Sequence, residues 1–599
     1  MKSAEIRKWL VHSGVLNRVA KPSRYIGHEL NAVHKKGEDL VSFLLAFPDI
    51  YEVGMSHLGL KVMYSAINSI GWAKAERTYL PWKDMILEMN NKGVPLYSVE
   101  SFSPASDFDV IGITLQYELS YTSALALIEL SKTPLLQDQR KDNDPLVIGG
   151  GPCTANPEPM SRFFDALVIG EGETAIQEIA RIIRSAKRSS RRTGRETLLK
   201  EISAVRGVYV PSLGKKKVTR AVAATLDESF SQASSIVPFT NIVHNRAVIE
   251  VMRGCTRGCR FCQAGMIYRP VRELGLEEAS NAATQLIATT GFEEVSLLSL
   301  SSTDYSHIDE LTRGLLPAMK DEQVAFSLPS SRIDAFGVDL ASRISSIRKT
   351  GLTFAPEAGS ERLRRVINKN VDENDLMRTV ESAKQNGWRR VKLYFMIGLP
   401  TETDYDLREI VRLARTVRHM GIKQLSVSVA IFVPKPHTPF QFCRQVSVDE
   451  AEEKAKKLYD IRRYGFLQVH DPRKSLLEGV LSRGDNRLGE VVLRAFGNGA
   501  VFDEWHEEFD YGKWEEAFAE TDVSPLEYMR SRSVEEELPW DHIEMGVSRD
   551  FLVREYHKAL RGETTEDCRW SRCSQCGVTS LPEVKHEKTG CSAGTHLQK

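Results

Sequence analysis

The stretch Arg253-Gly254-Cys255-Thr256-Arg257-Gly258-Cys259-Arg260-Phe261-Cys262 sets three cysteines in C-x3-C-x2-C spacing, with an aromatic residue just before the last. Three thiolates hold three corners of a four-iron cluster and leave the fourth iron open to bind a small molecule and pass it an electron. Zinc is the rival reading, because C-x2-C spacing suits it as well. Structural zinc takes four ligands, however, and the nearest downstream histidine is His307. One-electron chemistry at an iron–sulfur cluster is therefore expected, with Cys255, Cys259 and Cys262 as its ligands.

Cysteine usage elsewhere agrees with metal binding rather than disulfides. Of nine cysteines in 599 residues, six fall in two tight groups, the triad above and Cys568, Cys573 and Cys576. Cys153, Cys443 and Cys591 stand apart. A secreted disulfide scaffold is shorter and more evenly studded. The start, Met1-Lys2-Ser3-Ala4-Glu5, carries no apolar signal region, and no uncharged run reaches the length of a membrane span. A cytoplasmic, reducing compartment without membrane contact is expected. Lys plus Arg and Asp plus Glu are both 80, so bulk charge argues for neither nucleic acid nor membrane. The local basic run Lys187-Arg188-Ser189-Ser190-Arg191-Arg192-Thr193-Gly194-Arg195, followed by Lys215-Lys216-Lys217, reads as a solvated linker or as an RNA contact.

Outward from the triad, strands and helices alternate in both directions. On the C-terminal side, apolar strands are expected over 247–252, 294–300, 324–328, 352–355, 391–397 and 424–432, with helices between them. About six βα units fit a full or partial parallel barrel, whose function gathers at the C-terminal strand ends. Those ends are polar or rich in Gly and Pro: Ser299–Asp304, Pro329–Arg332, Pro356–Glu361, Gly398–Thr401 and Pro434–His437. On the N-terminal side, strands at 41–47, 110–115, 146–148 and 166–169 alternate with helices in the manner of a doubly wound parallel sheet. Its glycine turns, Gly149-Gly150-Gly151-Pro152 and Gly170-Glu171-Gly172-Glu173, would allow a ligand close to the backbone.

Taken together, Cys255, Cys259, Phe261, Cys262, the Pro356–Glu361 segment and the Gly398–Thr403 segment resemble the radical SAM superfamily. The resemblance implies a [4Fe–4S] cluster whose open iron is chelated by S-adenosylmethionine, which reductive cleavage splits into methionine and a 5′-deoxyadenosyl radical. It implies further that Phe261, Gly398 and the strand around Val429 flank the adenine, that Ser301 and Ser302 approach the methionyl group, and that Arg332 and Glu357 meet ribose or carboxylate. A reducing partner of flavodoxin or ferredoxin type is implied as well. Residues 40–440 look more specifically like the subgroup with an N-terminal cobalamin-binding-type domain. That implies corrin contacts from Gly149, Gly150, Gly151, Gly170 and Glu171. The D-x-H-x-x-G pattern that supplies a cobalt-ligating histidine is absent, because Asp49 leads into Ile50-Tyr51-Glu52-Val53-Gly54 and His57 falls too late. Cobalamin is then either held without a protein histidine or lost from a domain that keeps the fold.

The expected fold is thus α/β: a terminal segment over 1–40, a cobalamin-binding-like doubly wound sheet over 41–186, a basic linker over 187–240 and a partial (β/α)6 barrel over 241–465. A mainly helical extension over 466–566 and a cysteine tail over 567–599 complete the chain. The extension resembles that of an uncharacterised family in which a small companion protein accompanies the enzyme, and it is expected to cover the open side of the barrel. Cys568, Cys573 and Cys576 read as an auxiliary iron–sulfur site or a zinc site, with Cys591 or His586 as a fourth ligand, or as an exposed tail. The leading expectation is a radical enzyme that modifies an unactivated position, by methyl transfer if cobalamin is bound, on RNA or a small molecule. Sulfur insertion of the methylthiotransferase kind and a non-catalytic iron–sulfur protein are the alternatives.

Overall fold

The structure, a computed structural model, describes residues 1–37, 39–189, 193–226, 236–328 and 352–584. The first sheet comprises β1 (Val41–Phe47), β2 (Ala73–Tyr79), β3 (Val110–Thr114), β4 (Leu146–Gly150), β5 (Ala166–Val168) and β6 (Val208–Tyr209). Its order is β2-β1-β3-β4-β5-β6, parallel except for β6 at the edge. β1 is apolar almost throughout and every residue is buried, as a parallel strand covered on both faces requires. β2, by contrast, has the sequence AKAERTY, and its polarity hides it from hydropathy. The charges are neutralised in place: Arg77 pairs with Glu100 at 2.6 Å and with Glu29 at 3.1 Å, all three buried.

Helices Leu58–Asn68 and Gly172–Arg188 cover one face of this sheet, packing Tyr64, Ile67, Ile176 and Ile179 onto Phe43, Leu45 and Val110. The other face is covered by helix Tyr121–Leu130 together with Pro472–Arg483, Leu488–Gly497 and Tyr511–Glu520. Leu477, Val480, Val491 and Trp514 share one core with Leu44, Ile111 and Ile113. Only part of the C-terminal extension packs on the barrel, where it was expected, as Glu555 does with Arg260. Much of it completes the first sheet, whose second apolar face would otherwise meet water.

The basic linker is also anchored to this unit. Lys187 reaches Asp109 at 2.9 Å, Arg195 reaches Asp165 at 2.8 Å, Lys215 reaches Glu158 at 3.0 Å and Lys217 reaches Glu544 at 2.6 Å. These charges balance the chain's own carboxylates; Arg191 and Arg192 lie outside the described residues.

A short β7 (Val218–Thr219) leads to the second α/β unit. There β8 (Ala247–Glu250) runs into β9 (Met252–Arg253), which pairs antiparallel with β10 (Arg272–Glu273). β11 (Glu294–Leu298) lies between β8 and β12 (Ala325–Ser327), all parallel. Next come β13 (Leu352–Glu357), β14 (Arg390–Ile397), β15 (Gln424–Ile431) and β16 (Phe466–Val469), a second parallel group in that order. β16 carries the sheet past residue 465, so among the described residues seven parallel strands stand where about six βα units are expected. Finally β17 (Ile543–Glu544) pairs with β7, tying the C-terminal region to the segment between the two units. No helix among the described residues is long and apolar enough to cross a membrane.

Candidate functional site

The triad loop leaves β9 at Gly254, where φ is +88° and a Cβ would fall 2.4 Å from the Pro270 carbonyl oxygen. Only glycine fits there, and that fixes where the loop begins. Cys255, Cys259 and Cys262 are half-buried and free. The Cys262 N–H donates to the Cys259 carbonyl at 3.1 Å, and the Cys262 Sγ accepts from the Gly265 N–H at 3.4 Å. Burial, with the Cys259 thiol adjacent, pushes Cys255 up to about 11 and Cys262 up to about 12. Ligation by iron would deprotonate them, so cluster binding releases protons here.

The loop is clamped from both sides. Arg260 is fully buried, pairs with Glu555 at 2.9 Å and donates to the Val366 carbonyl at 2.9 Å. Asn368 donates to the carbonyls of Arg257, Gly258 and Thr565. Arg257 pairs with Asp304 and, at 3.1 Å, with Asp567. The C-terminal region that supplies Glu555, Thr565 and Asp567 therefore closes over the loop, an interaction across 300 residues of sequence that spacing does not reveal.

Phe261 packs with Ala358, Leu399 and Phe432, each just beyond the end of one of the strands β13–β15. That places its ring at the C-terminal ends of these strands. The Ser301 hydroxyl is buried and has no hydrogen-bond partner among the described residues, which fits a polar ligand. Ser302 is committed, its Oγ donating to the Leu297 carbonyl at 3.1 Å. Glu357, at φ +68° on the end of β13, pairs with Lys369 at 3.3 Å. The Gly398 N–H donates to the Glu402 carboxylate at 3.0 Å, and a Cβ at Gly398 would meet Val446 at 2.8 Å, so this residue shapes a turn. Val429 packs with Leu407, Ile410 and Leu413 of helix Asp404–His419, which takes its side chain away from the lumen. Arg332 lies outside the described residues.

A cavity of about 510 Å³ opens at the C-terminal ends of β1, β3, β4 and β5. The order of the first sheet reverses between β1 and β3, the position where open α/β sheets bind ligands. Gly149, Gly150, Gly151, Gly170 and Glu171 all line it, as do Glu250, Met252, Arg253 and Gly254 at the start of the triad loop and Ser299 beside β11. A Cβ on Gly150 would meet nothing within 4 Å, so this backbone faces open space.

His57 lines the cavity too, a residue that sequence spacing set aside. Its Nδ1 accepts from the Leu60 N–H at 3.1 Å as a helix cap, which leaves Nε2 to donate to Gln116 at 3.1 Å. Burial lowers its pKa to about 4, and both ring nitrogens are occupied.

Glu171 is less a ligand contact than a joint. Both carboxylate oxygens accept from Arg272 at 2.7 Å, one also accepts from the Ala223 N–H at 2.7 Å, and Arg253 lies 3.2 Å away. Burial alone would raise its pKa, but the charges of Arg253 and Arg272 outweigh burial and hold it below the ordinary value.

In the tail, Cys568 and Cys576 are buried and Cys573 is exposed. Cys576 packs with Trp540, Phe551 and Leu552, so the exposed-tail reading does not describe this segment. Cys591 and His586 lie outside the described residues.

Two family models match the chain. The one described as radical SAM proteins, N-terminal, covers residues 59–211, and that of the radical SAM superfamily covers residues 249–414. An uncharacterized protein of Methanocaldococcus jannaschii is 31% identical over 459 residues, 75% of this chain and 90% of that protein. A tRNA-2-methylthio-N(6)-dimethylallyladenosine synthase of Desulforamulus reducens is 22% identical over 260 residues, 41% of this chain and 55% of its own. Among solved structures, the radical S-adenosylmethionine methyltransferase TsrM of Kitasatospora setae, with cobalamin and a [4Fe-4S] cluster bound, overlaps with a TM-score of 0.47 at 14% identity, covering 69% of this chain and 78% of that one.

Proposed function

Since this chain belongs to the radical SAM superfamily, we propose that it is a methyl-transferring member in which Cys255, Cys259 and Cys262 hold the [4Fe–4S] cluster and the cavity above the first sheet holds cobalamin. When bound, these groups supply one-electron cleavage of S-adenosylmethionine and a transferable methyl group. The observation that carries the reading is the shared cavity. Its floor is the glycine-lined edge of β4 and β5, and its far wall is the start of the triad loop and Ser299. A flat cofactor seated there would face the cluster side directly.

The chain's own residues have assignable parts. Gly150 leaves room for a ligand against bare backbone. Phe261 offers an aromatic face at the barrel mouth, and Ser301 offers an unpaired hydroxyl. His57, neutral and held at both nitrogens, walls the cavity without ligating. Glu171 keeps the cofactor edge and the cluster loop in register through Arg253 and Arg272. The cluster takes its electrons from a carrier of flavodoxin or ferredoxin type, in a reducing compartment such as the cytoplasm. RNA is the favoured substrate class, since the tRNA-modifying relative aligns with part of the chain. A companion protein would complete the assembly.

Sulfur insertion is the second reading. It is favoured by one observation: the tail cysteines stand beside the cluster loop, where a second cluster would be needed, with zinc as the alternative occupant.

Gly150→Phe tests the lead. It fills open space rather than clashing, so the chain should fold as before. Wild-type protein given cobalamin should keep its corrinoid absorbance after desalting, and the variant should lose it while retaining cluster iron. Corrinoid retained equally by both would refute the assignment.

A further inference from the structure

The segment that carries the tail cysteines is tied to the loop of the first triad. Asp567, next to Cys568, pairs with Arg257, which lies between Cys255 and Cys259. Arg569 fixes the same segment to the barrel, donating to the Asp304 carbonyl at 2.8 Å and pairing with Glu273 of β10 at 2.6 Å. Thr565 donates its N–H to Asn368 at 2.8 Å, and Asn368 in turn holds the carbonyls of Arg257 and Gly258.

Arg269 stands between the two cysteine groups. It is 3% exposed, and its Nε donates to the Gly265 carbonyl at 2.9 Å. A Cβ on Gly258 of the triad loop would meet its Nη2 at 3.8 Å, and the guanidinium stands 5.4 Å over the ring of Phe551, which shares a core with Cys576. Its Nη1 is buried with no hydrogen-bond partner among the described residues. An unpaired cationic donor in such a place is costly unless an anion is its proper neighbour. Thiolate-ligated iron–sulfur clusters supply that negative charge. A zinc ion draws its ligands into one tight tetrahedron, whereas a four-iron cube accepts thiolates spread more widely.

We infer that Cys568, Cys573 and Cys576 ligate an auxiliary iron–sulfur centre that relays single electrons into the radical cluster, with Arg269 as the positioning cation shared by the two. This rests on the reading of the first triad as a cluster. The electron path balances without atom transfer. A carrier of flavodoxin or ferredoxin type reduces the tail centre by one electron, and that centre is reoxidised as the radical cluster is reduced. Access from outside is on the tail side, where Cys573 is exposed and Trp570 is 71% exposed.

The experiment is anaerobic reconstitution with iron and sulfide, followed by metal analysis and electron paramagnetic resonance of the reduced protein. Wild type should bind about eight irons, and Cys568→Ser/Cys573→Ser/Cys576→Ser about four, as should Cys255→Ala/Cys259→Ala/Cys262→Ala. The two variants should give different spectra, with only the tail variant's altered by S-adenosylmethionine. In the tail variant, flavodoxin-driven cluster reduction should slow at least tenfold while dithionite reduces it normally. Arg269→Met should lower the reduction potential of both centres in a redox titration. Zinc in the tail, or an iron-free first-triad variant, would overturn the inference and leave the first cluster standing. Wild type without iron would sink the underlying reading as well. An unslowed tail variant would refute the relay, and unshifted potentials in Arg269→Met would refute its cation.

Discussion

Replacing Glu171 with Gln removes one charge from the joint between the two α/β units. The side chain is 3% exposed and sits against Arg272 at 2.7 Å, Arg253 at 3.2 Å and Arg220 at 3.9 Å. Gln keeps the shape but turns one acceptor into a donor aimed at guanidinium groups. Breaking a buried ion pair on one side costs about 3–5 kcal/mol. For a unit of this size each kcal/mol is worth roughly 2–4 °C, so the melting transition should fall by on the order of 10 °C. Glu171→Asp, which keeps the charge, should lose less. The pH dependence has a definite sign. The folded pKa lies below the ordinary 4.5, so the carboxylate's contribution is full above 4.5 and is lost as pH falls through the depressed value. Calorimetry of the variants between about pH 3 and pH 8 would read both effects. A melting shift under about 2 °C, accompanied by loss of bound corrinoid, would refute the reasoning. Glu171 would then be a cofactor contact and not a joint.

Gly254→Ala places a methyl group 2.4 Å from the Pro270 oxygen, so reconstituted protein should hold well under the roughly four irons expected of the first triad alone, when measured with the tail cysteines replaced. Iron at the parent level would contradict that. Half-buried His57 and buried His437 are held neutral, each lowered to about 4 by desolvation. The unfolded chain protonates first, so stability should fall between pH 6.5 and about 4, by up to about 1.4 kcal/mol per pH unit for each, and then level off. Denaturant titrations of His437→Gln should show a shallower slope, and an unchanged slope would remove His437 from the account. Lys435 is held between Glu118 at 2.7 Å and Glu478 at 2.8 Å, so Lys435→Met should destabilise by about 3–5 kcal/mol. A loss under 1 kcal/mol in urea unfolding would show that these carboxylates find other partners or protonate cheaply.

The sequence by itself determined the parts whose chemistry is local. C-x3-C-x2-C named its ligands because spacing alone fixes which thiols one loop can present. β1 and β14 were legible from apolar runs, and the glycine turns after β4 and β5 from the backbone freedom they confer. β2 was not, because Arg77 is buried against Glu100 and Glu29 and Glu76 against Lys74, and pairing cancels the polarity that a hydropathy reading relies on. Val429 was placed near adenine by resemblance, but strand alternation turns it toward the helices. Only the tertiary structure decided that helices from the C-terminal extension finish the first sheet, that Glu171 is bound by arginines, and that Asp567 and Arg569 bring the segment of the second cysteine group to the first. Each of these is a contact between residues about fifty to more than four hundred positions apart. Its energy depends on burial and on the charge of the neighbour, and neither quantity exists until the chain has folded.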